Sequence, residues 1–253
     1  MWHTRQSLWM MIERDFKSRY IGSVAGILWS IIHPLMMVTI YSLVFSLIFG
    51  REIGDTPFSL WLFCALLPWI MFSEIVRNST GMIEKNANLI TKTPFHSEIL
   101  PLVVIGSALT GHIIGFAVLI SLLLICKQSI GLSILLIPFY TVGLILFSLG
   151  LSWLISALNV FIKDIAQIFN VILQLWFYLC PIIYPASIIP KKYLFLLKLN
   201  PMYFITEGYR RSILENKGIL AVDCLFFFCI TIFMLFLGGW VFRRLKVQFA
   251  EVL

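Results

Sequence analysis

Six apolar runs, each close to twenty residues or longer, divide the sequence and constrain it more than any motif does. About 20 residues at a rise of about 1.5 Å each cross a hydrocarbon core of about 30 Å. Residues 27–49, 58–76, 100–126, 132–158, 165–183 and 219–242 meet that length. Of the 253 residues, 60% are hydrophobic and 12% charged, against about 25% charged in soluble domains. A soluble enzyme is excluded, and so is a disordered chain, which needs low hydrophobicity and high charge. The net charge of +7 is dispersed among apolar runs rather than gathered on one face, so nucleic acid is not a partner. The expected fold is an all-α integral membrane protein, one transmembrane domain over 1–253 with six spans.

Lys and Arg in the short flanks set the orientation, because basic loops stay cytoplasmic. The N-terminal segment carries Arg5, Arg14, Lys17 and Arg19, the second-to-third loop Arg77, Lys85 and Lys92, the fourth-to-fifth loop Lys163, and the tail at 243–253 Arg243, Arg244 and Lys246. Arg51 and Lys127 fall in the first and third of the five loops, both on the outer side. Both termini are therefore expected in the cytoplasm, with one exception to the charge rule. The last outer loop holds Lys191, Lys192, Lys198, Arg210, Arg211 and Lys217.

Residues 1–26 are not expected to form a cleavable signal, since Arg14, Asp15, Lys17 and Arg19 interrupt any apolar core. On a helical wheel Leu8, Trp9, Ile12, Phe16 and Tyr20 share one arc, which predicts an amphipathic helix in the cytoplasmic membrane interface. Arg19 sits near that arc and weakens it.

Residues 184–218 are not a plain loop. Pro181, Pro185, Pro190 and Pro201 preclude a continuous helix, yet Ile188, Ile189, Tyr193 to Leu197 and Leu199 are too apolar to leave in water. A re-entrant hairpin of short helices satisfies both constraints where protein or a water-filled cavity covers the freed backbone. Asn200 as N-cap, Pro201 at the first helical position and Gly218 as terminator frame a helix from 201 to about 214. Within it Glu207 and Arg211 are spaced to pair, with Arg210 beside them.

Gln167, Asn170, Gln174 and Tyr178 on the fifth span fall within an arc of roughly 80°. Such a stripe serves either interhelical hydrogen bonding or the wall of an aqueous path. In the second-to-third loop, charges mix with Ile83, Leu89, Ile90 and Phe95 and the helical potential ends before Pro94, which predicts a short amphipathic helix, either a solvated connector or a docking surface. No Gly-Lys pair occurs, so the chain has no P-loop, and any ATP is handled by another subunit. His3, His33, His96 and His112 lack metal-ligand spacing, the five cysteines form no C-x-x-C, and no acidic array suggests a proton relay.

Three stretches together resemble the membrane subunits of type-2 ABC exporters for polysaccharides, the permeases of O-antigen, capsule and teichoic-acid export. They are residues 14–20 with Gly22-Ser23, Gly26, Leu28-Trp29 and Pro34-Leu35; residues 158–165 with Pro181-Ile182 and Tyr184; and Asn200-Pro201-Met202 with Tyr209-Arg210. The resemblance implies a homodimer bound to two separate ATP-binding subunits in a bacterial cytoplasmic (inner) membrane. It implies no catalytic residue, metal or cofactor on this chain, with ATP and Mg on the partner. Arg14, Lys17 and Arg19 would lie where substrate enters; Glu84, Lys85, Asn88, Leu89 and Lys92 would couple to the ATPase; and 188–209 would form an outer gate.

The channel or gate candidates are Trp69, Phe72, Gln167, Asn170, Gln174, Trp176, Phe177, Tyr178, Tyr184, Tyr193, Tyr203 and Tyr209. The aromatic ones are equally suited to packing or to the bilayer belt. The expected activity is export of a lipid-linked polysaccharide, O-antigen first, through contacts with membrane lipids. Capsular or teichoic-acid export is the alternative, and a secondary transporter or channel a more distant one, for which an internal repeat would be needed.

Overall fold

The computed structural model describes residues 2–18, 25–49, 52–53, 56–92, 95–219 and 221–253. Unbroken apolar stretches become helices because a backbone in lipid must satisfy its own hydrogen bonds. The helices are α1 (Trp2–Ser18), α2 (Trp29–Phe49), α3 (Phe58–Thr80), α4 (Met82–Lys85), α5 (Ala87–Lys92), α6 (Leu100–Ile125), α7 (Ile137–Phe161), α8 (Ile165–Leu179), α9 (Leu194–Lys198), α10 (Pro201–Ile213), α11 (Ala221–Lys246) and α12 (Phe249–Val252). Two-residue strands β1 (Glu52–Ile53) and β2 (Thr56–Pro57) pair antiparallel between α2 and α3.

Among the described residues, four helices are long and apolar enough to cross a membrane: α3, α11, and α6 and α7 with the 3-10 turns that lead into them. The apolar part of α2 (Trp29–Phe45) and α8 are shorter. The fifth run stops at Leu179, short of the expected 183, because Cys180 turns extended just before Pro181.

The core is organised around α3, whose side chains are buried around most of its circumference. It packs against α2, α6, α7, α8 and α10. Helices α7 and α11 approach closely: a Cβ on Gly238 would lie 1.9 Å from the Gly150 carbonyl oxygen, so only glycine admits this crossing. Ser79 donates to Ser152 at 2.8 Å where α3 meets α7.

On α1, Phe16 is buried and Ile12 packs into the space left by Gly106 of α6, whereas Trp9 and Met10 point outward. The apolar arc is thus shared between the protein and its surroundings.

Two of the loops that carry the basic residues meet the C-terminal tail at one end. Glu84 of α4 meets Lys163 after α7, Glu98 before α6 meets Lys246 of α11, and α12 packs on α5 and α7. The tail is part of the body, with Phe249 buried against Phe161 and Phe242. At the other end Lys198 meets Asp223 at 3.0 Å, and the Ser133 amide donates to the Asn216 side chain at 3.2 Å.

One expectation is corrected and another holds. The partner of Glu207 is Arg210, three residues on, at 2.7 Å; Arg211 instead points toward the Gly218 carbonyl. The helix framed by Asn200 and Pro201 ends at Ile213, within one residue of the expected end at about 214. In the basic outer loop, Arg210, Lys198 and Lys217 are paired with Glu207, Asp223 and Glu215, and Lys192 sits over the Tyr193 ring.

Candidate functional site

A groove of about 680 Å³ opens between α2, α3 and α8. Its polar part carries Ser30 and His33 from α2 with Glu74, Arg77 and Asn78 from α3. The rest is mostly apolar, with an aromatic cluster of Tyr41, Trp69, Phe177 and Tyr178. Tyr41 stacks on Phe177 with centroids 5.5 Å apart, Trp69 tilts against the same ring at 5.6 Å, and Tyr178 meets it edge-on at 5.4 Å. Phe177 is therefore the fixed centre of the cluster, and Tyr178, 60% exposed, is its open edge.

Helix α8 forms this wall because only Leu173 and Phe177 are buried along it. The predicted polar stripe of Gln167, Asn170, Gln174 and Tyr178 is exposed, and Gln174 and Tyr178 line the groove. Ile168, Val171, Leu175 and Leu179 are exposed beside it, as are Met36, Ile40, Leu43 and Leu47 of α2. Two apolar faces thus flank the open side of the groove.

Above it, the segment between α8 and α10 is pinned by two side chains. Asn200 caps α10 by accepting from the Met202 amide at 3.0 Å and also accepts from Trp176 Nε1 at 2.8 Å. Its amide nitrogen reaches the Leu179 carbonyl and Cys180 Sγ, so one residue ties the end of α8 to the start of α10. Arg210 is 2% exposed and donates to the carbonyls of Trp61, Pro181 and Ile182 as well as to Glu207. Pro181 and Ile182 precede the proline-broken segment, where carbonyls have no helical partner; the guanidinium fork supplies it. Burial raises the Tyr184 phenol above its ordinary range, so it stays a neutral donor to the Tyr178 carbonyl at 3.0 Å.

The other predicted residues distribute as follows. Trp69 and Phe177 line the groove, whereas Phe72 is fully buried between Phe147 and Trp176. Trp176 faces Asn200 and the core. Tyr193 is exposed on the outer segment and Tyr203 is half-buried. Tyr209 lies inside the bundle, its hydroxyl 3.0 Å from His112 Nε2 and 2.6 Å from Thr141 Oγ1. Arg14 is exposed, Lys17 pairs with Glu13 at 2.6 Å, and Arg19 lies outside the described residues.

At the other end the expected single amphipathic helix is two short ones, α4 and α5, separated at Asn86. Lys85, Asn88 and Lys92 are exposed and Leu89 is half-buried. Glu84 turns inward, accepting from Asn159 Nδ2 at 3.0 Å and from Lys163 at 2.7 Å. Asn159 also accepts from the Ala166 amide at 3.2 Å, which links α4 to the first turn of α8.

Sequence reasoning missed Tyr41 and His33 as groove residues, Asn159 as a linker and Arg210 as a buried anchor. Only Asn159 and Arg210 had a signal, since both stand in the stretches that carry the family resemblance.

Comparison with known proteins extends that resemblance over nearly the whole chain. It is 28% identical over 253 residues to the O-antigen export system permease protein RfbA of Myxococcus xanthus, covering 99% of this chain and 96% of the relative. It is 32% identical over 246 residues to the protein of the same name from Klebsiella pneumoniae, covering 96% and 93%. It is also 26% identical over 236 residues to the polysialic acid transport protein KpsM of Escherichia coli, covering 91% and 90%. Residues 6–214 match the ABC-2 type transporter family, and with so much of the sequence matched the chain belongs to that family.

Proposed function

We propose that this chain is the membrane subunit of an ATP-driven exporter that moves a lipid-linked polysaccharide, O-antigen first, across the bacterial cytoplasmic membrane. The observation that carries this reading is the groove between α2, α3 and α8, in a chain similar along almost its full length to permeases named for O-antigen export. An aromatic wall suits a glycan because ring faces pack on apolar C–H surfaces, while the exposed amides of α8 and the polar groups of α3 hydrogen-bond hydroxyls. Similarity to the polysialic acid transport protein, at lower identity, keeps capsular polysaccharide as the second reading.

The chain works as a homodimer. The exposed apolar faces of α2 and α8 meet those of a second copy, so that two grooves close into one channel. Six spans then cross the membrane, α2 and α8 crossing as short helices, with both termini cytoplasmic. The segment 184–218 is a re-entrant gate on the outer side, held by Arg210 and Asn200. Two ATP-binding subunits bind at α4–α5 through Lys85, Asn88, Leu89 and Lys92, and ATP with Mg²⁺ stays on those partners. Glu84 faces inward and passes motion of α4 to α8 through Asn159. Arg14, Lys17 and Arg19 of the interfacial segment lie where the lipid-linked substrate enters.

Co-expression with the ATPase encoded beside this chain tests the reading. A two-plus-two complex whose ATP hydrolysis requires both chains, and loss of surface glycan when this chain is deleted, are expected. A chain that purifies without an ATPase and whose deletion leaves the surface glycan intact would overturn it.

A further inference from the structure

A second groove, of about 750 Å³, lies on the far side of the bundle from the first, between α11, α7 and the turn that leads into α6. Its walls are apolar, with Trp153 of α7 facing Ile232, Leu235, Phe236 and Gly239 of α11. Its mouth carries Arg243 and Arg244. Both arginines are exposed, and neither has a carboxylate partner among the described residues. Arg244 leans over the Trp240 ring at 5.3 Å. Glu98, also at the mouth, is paired with Lys246, so these two charges cancel. Trp153 Nε1 donates to the Glu98 carbonyl at 3.4 Å, which fixes the indole as the inner wall.

We propose that this groove is a binding site for an anionic phospholipid, with an acyl chain between Trp153 and α11 and the phosphate at Arg243 and Arg244. Two observations converge. The cavity lies on the most outward-facing long helix, of whose best apolar window only 22% is buried, so lipid chains are what it meets. The only net charge at its mouth is positive, and it sits at the end of the apolar run, where headgroups lie. Gly239 makes the room: it lines the groove, and a Cβ there would touch only the Trp153 ring, at 3.8 Å. The leaflet is the cytoplasmic one, which rests on the orientation proposed above; the site itself does not.

The full-length chain, purified in detergent and mixed with equal amounts of phosphatidylglycerol and phosphatidylcholine, is examined by native mass spectrometry. The wild type and Lys127→Gln, a change at the opposite end, are expected to keep phosphatidylglycerol selectively. Each basic residue near a headgroup is worth roughly fivefold in affinity, so Arg243→Gln with Arg244→Gln should lower that selectivity about thirtyfold. Gly239→Leu, which keeps both charges, should remove the bound lipid by filling its place. Retention unchanged in the double variant would overturn the site. Retention unchanged in Gly239→Leu would also overturn it, since the lipid would then be drawn to the basic tail without entering the groove. Because the readout is lipid retention rather than export, failure here leaves the transport reading untouched.

Discussion

The Arg210 guanidinium lies 3.4 Å from the centre of the Trp61 ring, joining α10 to the start of α3 across 149 positions of sequence. The stack covers one face of the guanidinium while its edge donates to three carbonyls and Glu207. A charge in this position is tolerated only because its donors are used.

Loss of this group leaves several buried acceptors without a donor. Arg210→Met is expected to destabilise the protein by about 3 kcal/mol, seen as a marked fall in the thermal transition of the detergent-solubilised chain. Arg210→Lys keeps the charge but cannot fork to Pro181 and Ile182 together, and should recover less than half of the loss. A lysine variant as stable as wild type would show that charge alone, without the fork, holds the segment.

Trp176 and Tyr178 stand two residues apart on α8 and should fail in opposite ways. Tyr178 is 60% exposed at the groove edge, so Tyr178→Ala should leave stability within about 0.5 kcal/mol. Loss of one ring contact, at about 1 kcal/mol, should lower export roughly fivefold in a surface-glycan assay. Trp176 donates to Asn200 and packs on Phe72, so Trp176→Ala should cost about 3 kcal/mol of stability. Unchanged export and assembly in Trp176→Ala would remove that residue from any role at the gate.

The start of α10 was legible in the sequence because an N-cap and a proline are local signals: Asn200 and Pro201 specify a helix end whatever surrounds them. The partner of Glu207 was not. Helical spacing allows pairing at three or four residues, and the choice is made by which face enters the core, here the one that meets Trp61. The polar stripe of α8 was likewise visible as a periodicity. That Gln174 and Tyr178 share a groove with His33 and Arg77 depends on how α2 and α3 pack, which no local pattern encodes. The basic outer loop misled for the same reason, since counting charges does not reveal that Lys198 already faces Asp223.

Adjacent glycines on α11 give a third test. A Cβ on Gly238 would meet backbone of α7, with the Gly150 oxygen at 1.9 Å, whereas a Cβ on Gly239 would meet only the Trp153 ring at 3.8 Å. Backbone cannot step aside as a side-chain end can, so Gly238→Ala should cost about 1–3 kcal/mol. Gly239→Ala should be neutral or slightly stabilising, since alanine is the better helix former by about 1 kcal/mol. Equal thermal transitions for the two variants would mean that α7 and α11 do not cross at this pair.

The Asn159 amide is the only side chain among the described residues that hydrogen-bonds both α4 and α8, through Glu84 and the Ala166 amide. Lys163 also holds Glu84, but its side chain is 65% exposed and such pairs contribute under about 1 kcal/mol, so Lys163→Gln should change export little. Asn159→Asp keeps an acceptor for Ala166 and replaces the donor to Glu84 with a second carboxylate. In the complex with its ATPase, ATP hydrolysis should continue while export falls, because the docking helix moves without carrying α8. Glu84→Gln in the same chain restores a donor across the gap and should recover export. A simple loss of fold would lower hydrolysis and export together and would not be rescued by the second change. Parallel losses in both readouts, with no recovery in the double variant, would therefore show that Asn159 holds the helices together without transmitting motion between them.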